Sequence, residues 1–190
     1  MNKSDLYKKN PELETLIEVM NWRPTVLVAD DEEAIVDIYS IAFEMCEIYD
    51  VLTAHGGKEL TEILMSKPVI DLVIIDDNMP YMTGFDFTEE FKQIPVYSDV
   101  PVIMCDGNYN KSSLKKFIFE SKGNIYVYKP TDIFPMINLV NVCLINHYKL
   151  IKCSSDDSES FNNLLKERRQ WIQMTIKNLN NRNAFWEGFF

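Results

Sequence analysis

Five short apolar runs recur along the chain, each separated from the next by a stretch long enough for a helix. Thr25–Ala29, Tyr49–Thr53, the residues between Asp71 and Asp76, Val100–Cys105 and Asn124–Tyr128 are rich in valine, isoleucine and tyrosine, and runs of this length and composition read as strands. The intervening stretches change period. Ile35, Ile38, Ala42 and Met45 between Glu33 and Cys46, and Leu60, Ile63 and Leu64 between Lys58 and Ser66, follow helical spacing. Gly84 opens another helix carrying Phe85, Phe87 and Phe91, and Lys111–Glu120 is a weaker candidate. Thr131 and Asp132 are positioned to cap a helix running to about Ile151, and Asn10-Pro11 has the cap and first position of a helix spanning Glu12–Met20.

Strands alternating with helices predict an α/β domain built on a doubly wound, five-stranded parallel sheet with right-handed crossovers and the flavodoxin-like order 2-1-3-4-5. The expected organisation is an N-terminal helical extension over residues 1–23, the sheet domain over 24–151, and a linker with a C-terminal helix over 152–190. At 190 residues and 46% hydrophobic content the chain can bury a core, whereas a net charge of −10 opposes attraction to nucleic acid or anionic membrane. Four cysteines without CxxC spacing, only two histidines and no bilayer-length apolar run point to a reduced, cytoplasmic protein without structural zinc.

Acids close several of the strands. The first ends in Asp30-Asp31 and the third in Asp76-Asp77, while Asp106 follows the fourth and Lys129-Pro130 the fifth. In the expected order strands one and three are neighbours, so Asp30, Asp31 and Asp76 converge where such sheets bind ligands. Carboxylates gathered in one concavity repel one another unless a cation intervenes, and an all-oxygen donor set suits Mg²⁺. Lys129 would then reach a phosphoryl oxygen, and a carboxylate nucleophile would form an acyl phosphate. The plainer alternatives are helix capping for Asp30-Asp31 and a solvated turn for Lys129.

These residues resemble the receiver domain of two-component response regulators (the CheY-like family) over about residues 25–151. The likeness is carried by Asp30-Asp31, by Asp76-x-x-Met79-Pro80-x-x-x-Gly84 and by Lys129-Pro130. It implies a phosphoprotein of a phosphorelay in which Asp76 becomes an aspartyl phosphate, Asp31 and Asp76 bind Mg²⁺ directly, Asp30 supports the ion through water, and the backbone carbonyl of Asn78 is a further ligand. Lys129 would pair with the phosphoryl group and Tyr126 matches the family's switch aromatic. The implied donor is a sensor histidine kinase or phosphotransfer protein, and a downstream protein would read the result.

One position departs from the pattern. Where the family places Thr or Ser after strand four, this chain has Asp106, which when ionised accepts hydrogen bonds and adds negative charge. Asp106 would oppose phosphorylation unless it holds a proton, joins the metal or points into water. Two further readings follow: a receiver-like scaffold no longer switched by phosphorylation, and a phosphatase with Asp76 as nucleophile. The phosphatase reading is weakened because Asn78 stands where the dehalogenase-type enzymes have a second aspartate.

Past Ile151 a polar run over 153–159 reads as a linker, followed by an apolar stripe of Phe161, Leu164, Leu165, Trp171, Ile172, Ile176 and Leu179, interrupted by Arg168 and Arg169. The stripe would dock on the sheet domain or form a homodimer seam, and the aromatic tail 184–190 would pack down or bind a partner. No DNA-binding output domain and no independent output enzyme are expected from this length, so protein association is the expected output.

Overall fold

The structure, a computed structural model, describes residues 10–66, 69–107, 111–120, 123–129 and 132–152. The expectations for Pro130, Thr131, the 153–159 linker, the C-terminal helix and the aromatic tail lie outside the described residues.

Five strands, β1 (Thr25–Ala29), β2 (Asp50–Ala54), β3 (Leu72–Asp76), β4 (Val102–Asp106) and β5 (Ile125–Tyr128), form one parallel sheet in the order 2-1-3-4-5. The helices are α1 (Pro11–Met20), α2 (Glu33–Met45), α3 (Gly57–Met65), α4 (Gly84–Gln93), α5 (Lys111–Phe119) and α6 (Ile133–Lys152). The expected fold is therefore the observed one. The start of the fourth strand differs. Pro101 has no N–H for the ladder and stands just before β4, where its carbonyl accepts from Val73 N at 3.0 Å, so the strand runs two residues later and one further than the apolar pattern indicated. Asp106 is thus the last residue of β4 and not the first of a loop.

Successive strand residues face opposite ways, and each face of the sheet has its own core. One face puts Val26, Val28, Leu72, Ile74, Ile103 and Cys105 against α1, α2 and α6; the other puts Leu27, Val73, Ile75, Val102 and Met104 against α3, α4 and α5. Both faces of β3 are buried throughout, which explains its unbroken apolar sequence. α1 belongs to the first layer: its N-cap Asn10 accepts from the N–H groups of Glu12 and Leu13, Leu13 and Met20 are buried, and Glu12 meets Lys149 of α6 at 2.7 Å. Cys46, Cys105 and Cys143 are buried and unpaired by disulfides.

Candidate functional site

The register sets the site. Ala29 pairs with Ile75 and Asp76 with Cys105, so Asp30 and Asp76 leave the sheet side by side, while Asp106 falls one step beyond Asp76's partner. The alternation of faces then divides the polar residues. Asp30, Asp76 and Lys129 continue the face bearing Val28, Ile74 and Cys105, whereas Asp77, Asp106 and Tyr126 continue the face bearing Ile75 and Met104.

On the first face Lys129 Nζ donates to Asp30 Oδ2 at 2.7 Å and approaches Asp76 Oδ1 at 2.6 Å, with the more exposed Glu32 at 3.8 Å. Its backbone N–H donates to the carbonyl of Asp106 at 2.8 Å, tethering it to the end of β4. Burial by itself would lower the lysine's pKa, but the hydrogen bonds to Asp30 and Asp76 outweigh it and hold the pKa above the ordinary range. Asp30, buried, has its pKa raised by desolvation, with Lys129 and the Glu32 N–H at 3.0 Å pulling the other way. Asp76 Oδ2 accepts from Asn78 N at 2.7 Å. Asp30, Asp31 and Asp76 each offer an oxygen within 4.8 Å of the others, a spacing that one hard divalent ion can span. Asp31 and Asn78 are exposed and lie at the rim.

The capping alternative for the early acids fails. The N-cap of α2 is Glu32, which makes no side-chain capping bond, and Asp30 instead serves a local turn and Lys129. Nor is Lys129 a solvated turn residue, since its side chain is only 14% exposed.

On the second face a tyrosine hydroxyl stands beside an acid where the first has a lysine. Asp106 is 2% exposed, so it does not point into water, and its Oδ2 accepts from the Tyr126 hydroxyl. The two are diagonal neighbours across β4 and β5, Tyr126 being paired with Met104, a separation that an aromatic side chain spans. The Tyr126 ring also meets Phe117 edge-on at 6.0 Å, and burial followed by the Asp106 contact raises its pKa.

Asp77, which ends the third apolar run beside Asp76 and has no role in the pattern of the sequence, is a further functional candidate. Its carboxylate is buried and Oδ1 has no hydrogen-bond partner among the described residues. Desolvation, then the charges of Asp106 and Asp76, push its pKa up to about 6, against the Phe85 N–H and Lys116. Strand alternation would have flagged it, because Asp77 continues the register opposite Asp106.

The β3–α4 connection holds these groups close. Thr83 caps α4 by accepting from Asp86 N at 3.1 Å, and a Cβ at Gly84 would stand 2.5 Å from the carbonyl of Asp76, so only glycine lets the helix begin this near the strand end. Tyr81, in the same loop, is 95% exposed and adopts φ 73°, a strained conformation for a non-glycine residue.

The family model for the response regulator receiver domain matches residues 26–141. Among characterised proteins, the Staphylococcus epidermidis response regulator SaeR is 40% identical over 78 residues, 41% of this chain and 32% of that protein. A Vibrio cholerae protein named "Probable cyclic di-GMP phosphodiesterase" is 33% identical over 109 residues, 57% of this chain and 24% of its own. The chain therefore spans about a quarter to a third of these relatives. Among solved structures, a response regulator receiver domain protein from Clostridium thermocellum aligns with TM-score 0.56 at 29% identity, covering 67% of this chain and 98% of that one. The signal receiver domain of an HD domain-containing protein from Pseudomonas fluorescens aligns with TM-score 0.61 at 23% identity, over 67% and 98%, a likeness of fold.

Proposed function

Since the chain belongs to the response regulator receiver domain family, whose members are phosphorylated on aspartate, bind Mg²⁺ at an acidic pocket and interact with histidine kinases or phosphotransfer proteins, we propose that Asp76 is its phosphoryl acceptor. The observation that carries this reading is Lys129 lying between Asp30 and Asp76, a cation already positioned where phosphoryl charge would build up.

In this reaction a carboxylate oxygen of Asp76 forms a bond to phosphorus as the donor's bond to phosphorus breaks, and the leaving group departs with that electron pair. Lys129 Nζ, released from part of its bonding to Asp76, pairs with a phosphoryl oxygen. The Asn78 N–H holds Asp76 in orientation through Oδ2. Asp31 and Asp76, with Asp30 behind them and the Asn78 carbonyl, would hold Mg²⁺, which when bound offsets the negative charge of the phosphoryl group. The ensuing signal passes through protein contacts, and the site operates in the cytoplasm. No described helix is long and apolar enough to cross a membrane.

The Asp106–Tyr126 bond favours a second reading, a scaffold whose switch aromatic is fixed without phosphorylation. The test is intact-protein mass spectrometry after incubation with acetyl phosphate and Mg²⁺. An acid-stable, hydroxylamine-labile phosphoryl adduct that is absent from Asp76→Asn supports the acceptor reading. Absence of the adduct from the unsubstituted chain sinks it in favour of the scaffold.

A further inference from the structure

The apolar arc of α2 is wider than the sheet covers. Val36, Ala42 and Phe43 are buried against the core, yet Ile38, Ile41 and Met45 are 53%, 58% and 50% exposed and, with exposed Ala34, follow the 4-3-4 spacing of one helical stripe. No described residue covers this stripe. The exposed charges beside it have one sign: Asp31, Glu32, Glu33, Asp37, Glu44 and Glu47 are all acidic, and positions 31–47 contain no lysine or arginine.

A segment of opposite character lies in the same chain. Residues 160–182 carry apolar positions at helical spacing and five basic residues, Lys166, Arg168, Arg169, Lys177 and Arg182, against the single acid Glu167. In a chain of net charge −10 this is an unusual local excess of positive charge. Its point of departure also suits. α6 runs back along the sheet, and Tyr148 near its end bonds Asp71 Oδ1 at 3.1 Å, just ahead of β3. Met45 lies at the same edge, because α2 ends there five residues before Asp50, which opens β2 opposite Thr25, and Thr25 N donates to Asp71 Oδ2 at 2.9 Å. Residues 153–159 are long enough to turn the chain at this edge. The stripe from Ala34 to Met45 is about 16 Å long, shorter than the helix that residues 161–179 would make.

We propose that residues 160–182 dock on the outer face of α2 of their own chain, the apolar stripes in contact and the basic flank against Asp37 and Glu44. The docked segment then lies beside the rim where Asp31 begins the metal-side acids. An exposed stripe of this kind accepts a covering helix by burying isoleucine side chains, and the opposed charges select the basic segment over the acidic remainder of the chain.

Hydrogen exchange read by mass spectrometry on the full chain tests this, with light scattering for mass. Amides of 160–182 exchange on the order of tenfold more slowly in the unsubstituted chain than in Ile38→Asp/Ile41→Asp, at monomer mass and independently of concentration. Arg168→Glu/Arg169→Glu, which leaves the sheet domain untouched, loses the same protection, and adding Asp37→Lys/Glu44→Lys restores it. Equal exchange in the unsubstituted and isoleucine-substituted chains overturns the proposal. So does protection that appears only with a dimer mass, which would make a second copy the occupant, and so does failure of the charge exchange to restore protection.

Discussion

The two faces of the sheet meet at the carboxyl ends of β3 and β4 with the same residue type and opposite electrostatic solutions. On one, Asp30 and Asp76 share Lys129; on the other, Asp77 and Asp106 are buried and Asp106 accepts from the neutral Tyr126 hydroxyl. Two buried carboxylates around an ammonium are near balance, and a divalent ion at the rim completes it. On the second face burial and then the neighbouring charge of Asp106 act together, and they appear as the raised pKa of Asp77. The first face is arranged to accept negative charge, and the second resists it.

The largest effects break the first face. Asp76→Asn takes acetyl phosphate labelling to background, and Lys129→Ala slows it by roughly 10²-fold, the size of losing one well-placed charge in a transition state. Both are read by the rate of adduct formation under Mg²⁺.

Asp106→Thr sharpens the contrast from the other side. Removing a negative charge near the acceptor is worth about 1 kcal/mol at the dielectric of a partly wet site, so labelling accelerates about fivefold, and Tyr126 loses its carboxylate partner. Tyrosine ring resonances that differ between the two proteins before any phosphorylation check that second outcome.

Asp31→Ala gives a smaller and separable change. Mg²⁺ titration should give a dissociation constant raised roughly tenfold or more, while melting in EDTA stays the same, because Asp31 is exposed and supports no described contact in the core.

The smallest effect belongs to Asp77. Its folded-state pKa of about 6 lies above the ordinary aspartate value, so the folded protein holds this proton more tightly and loses stability as pH rises through 6. Asp77→Asn therefore melts a few degrees higher than the unsubstituted chain at pH 7.5. The gain fades between pH 6 and about 4, where Asp77 is protonated folded or unfolded. Melting curves across that range, without Mg²⁺, read the difference.

Much of the first face was legible in the sequence. Asp30, Asp76 and Lys129 each follow an apolar run, and strand order alone brings the first two together. The second face was harder to read because it depends on side-chain direction and on where β4 stops. The apolar run stops at Cys105, so Asp106 reads as a loop residue, whereas it is a buried strand residue paired with Tyr128. Asp77 looked secondary to Asp76 because adjacency in sequence hides that the two sit on opposite faces. The left-handed backbone of Tyr81 had no signal, since tyrosine gives none of the warning that glycine or asparagine would.

The most direct measurement is a crystal structure of the full chain with Mg²⁺ and beryllofluoride. Metal on Asp31 and Asp76 and beryllofluoride on Asp76 beside Lys129 are the expected result. Asp106 turned into the pocket with beryllofluoride excluded would contradict the assignment of Asp76 as acceptor.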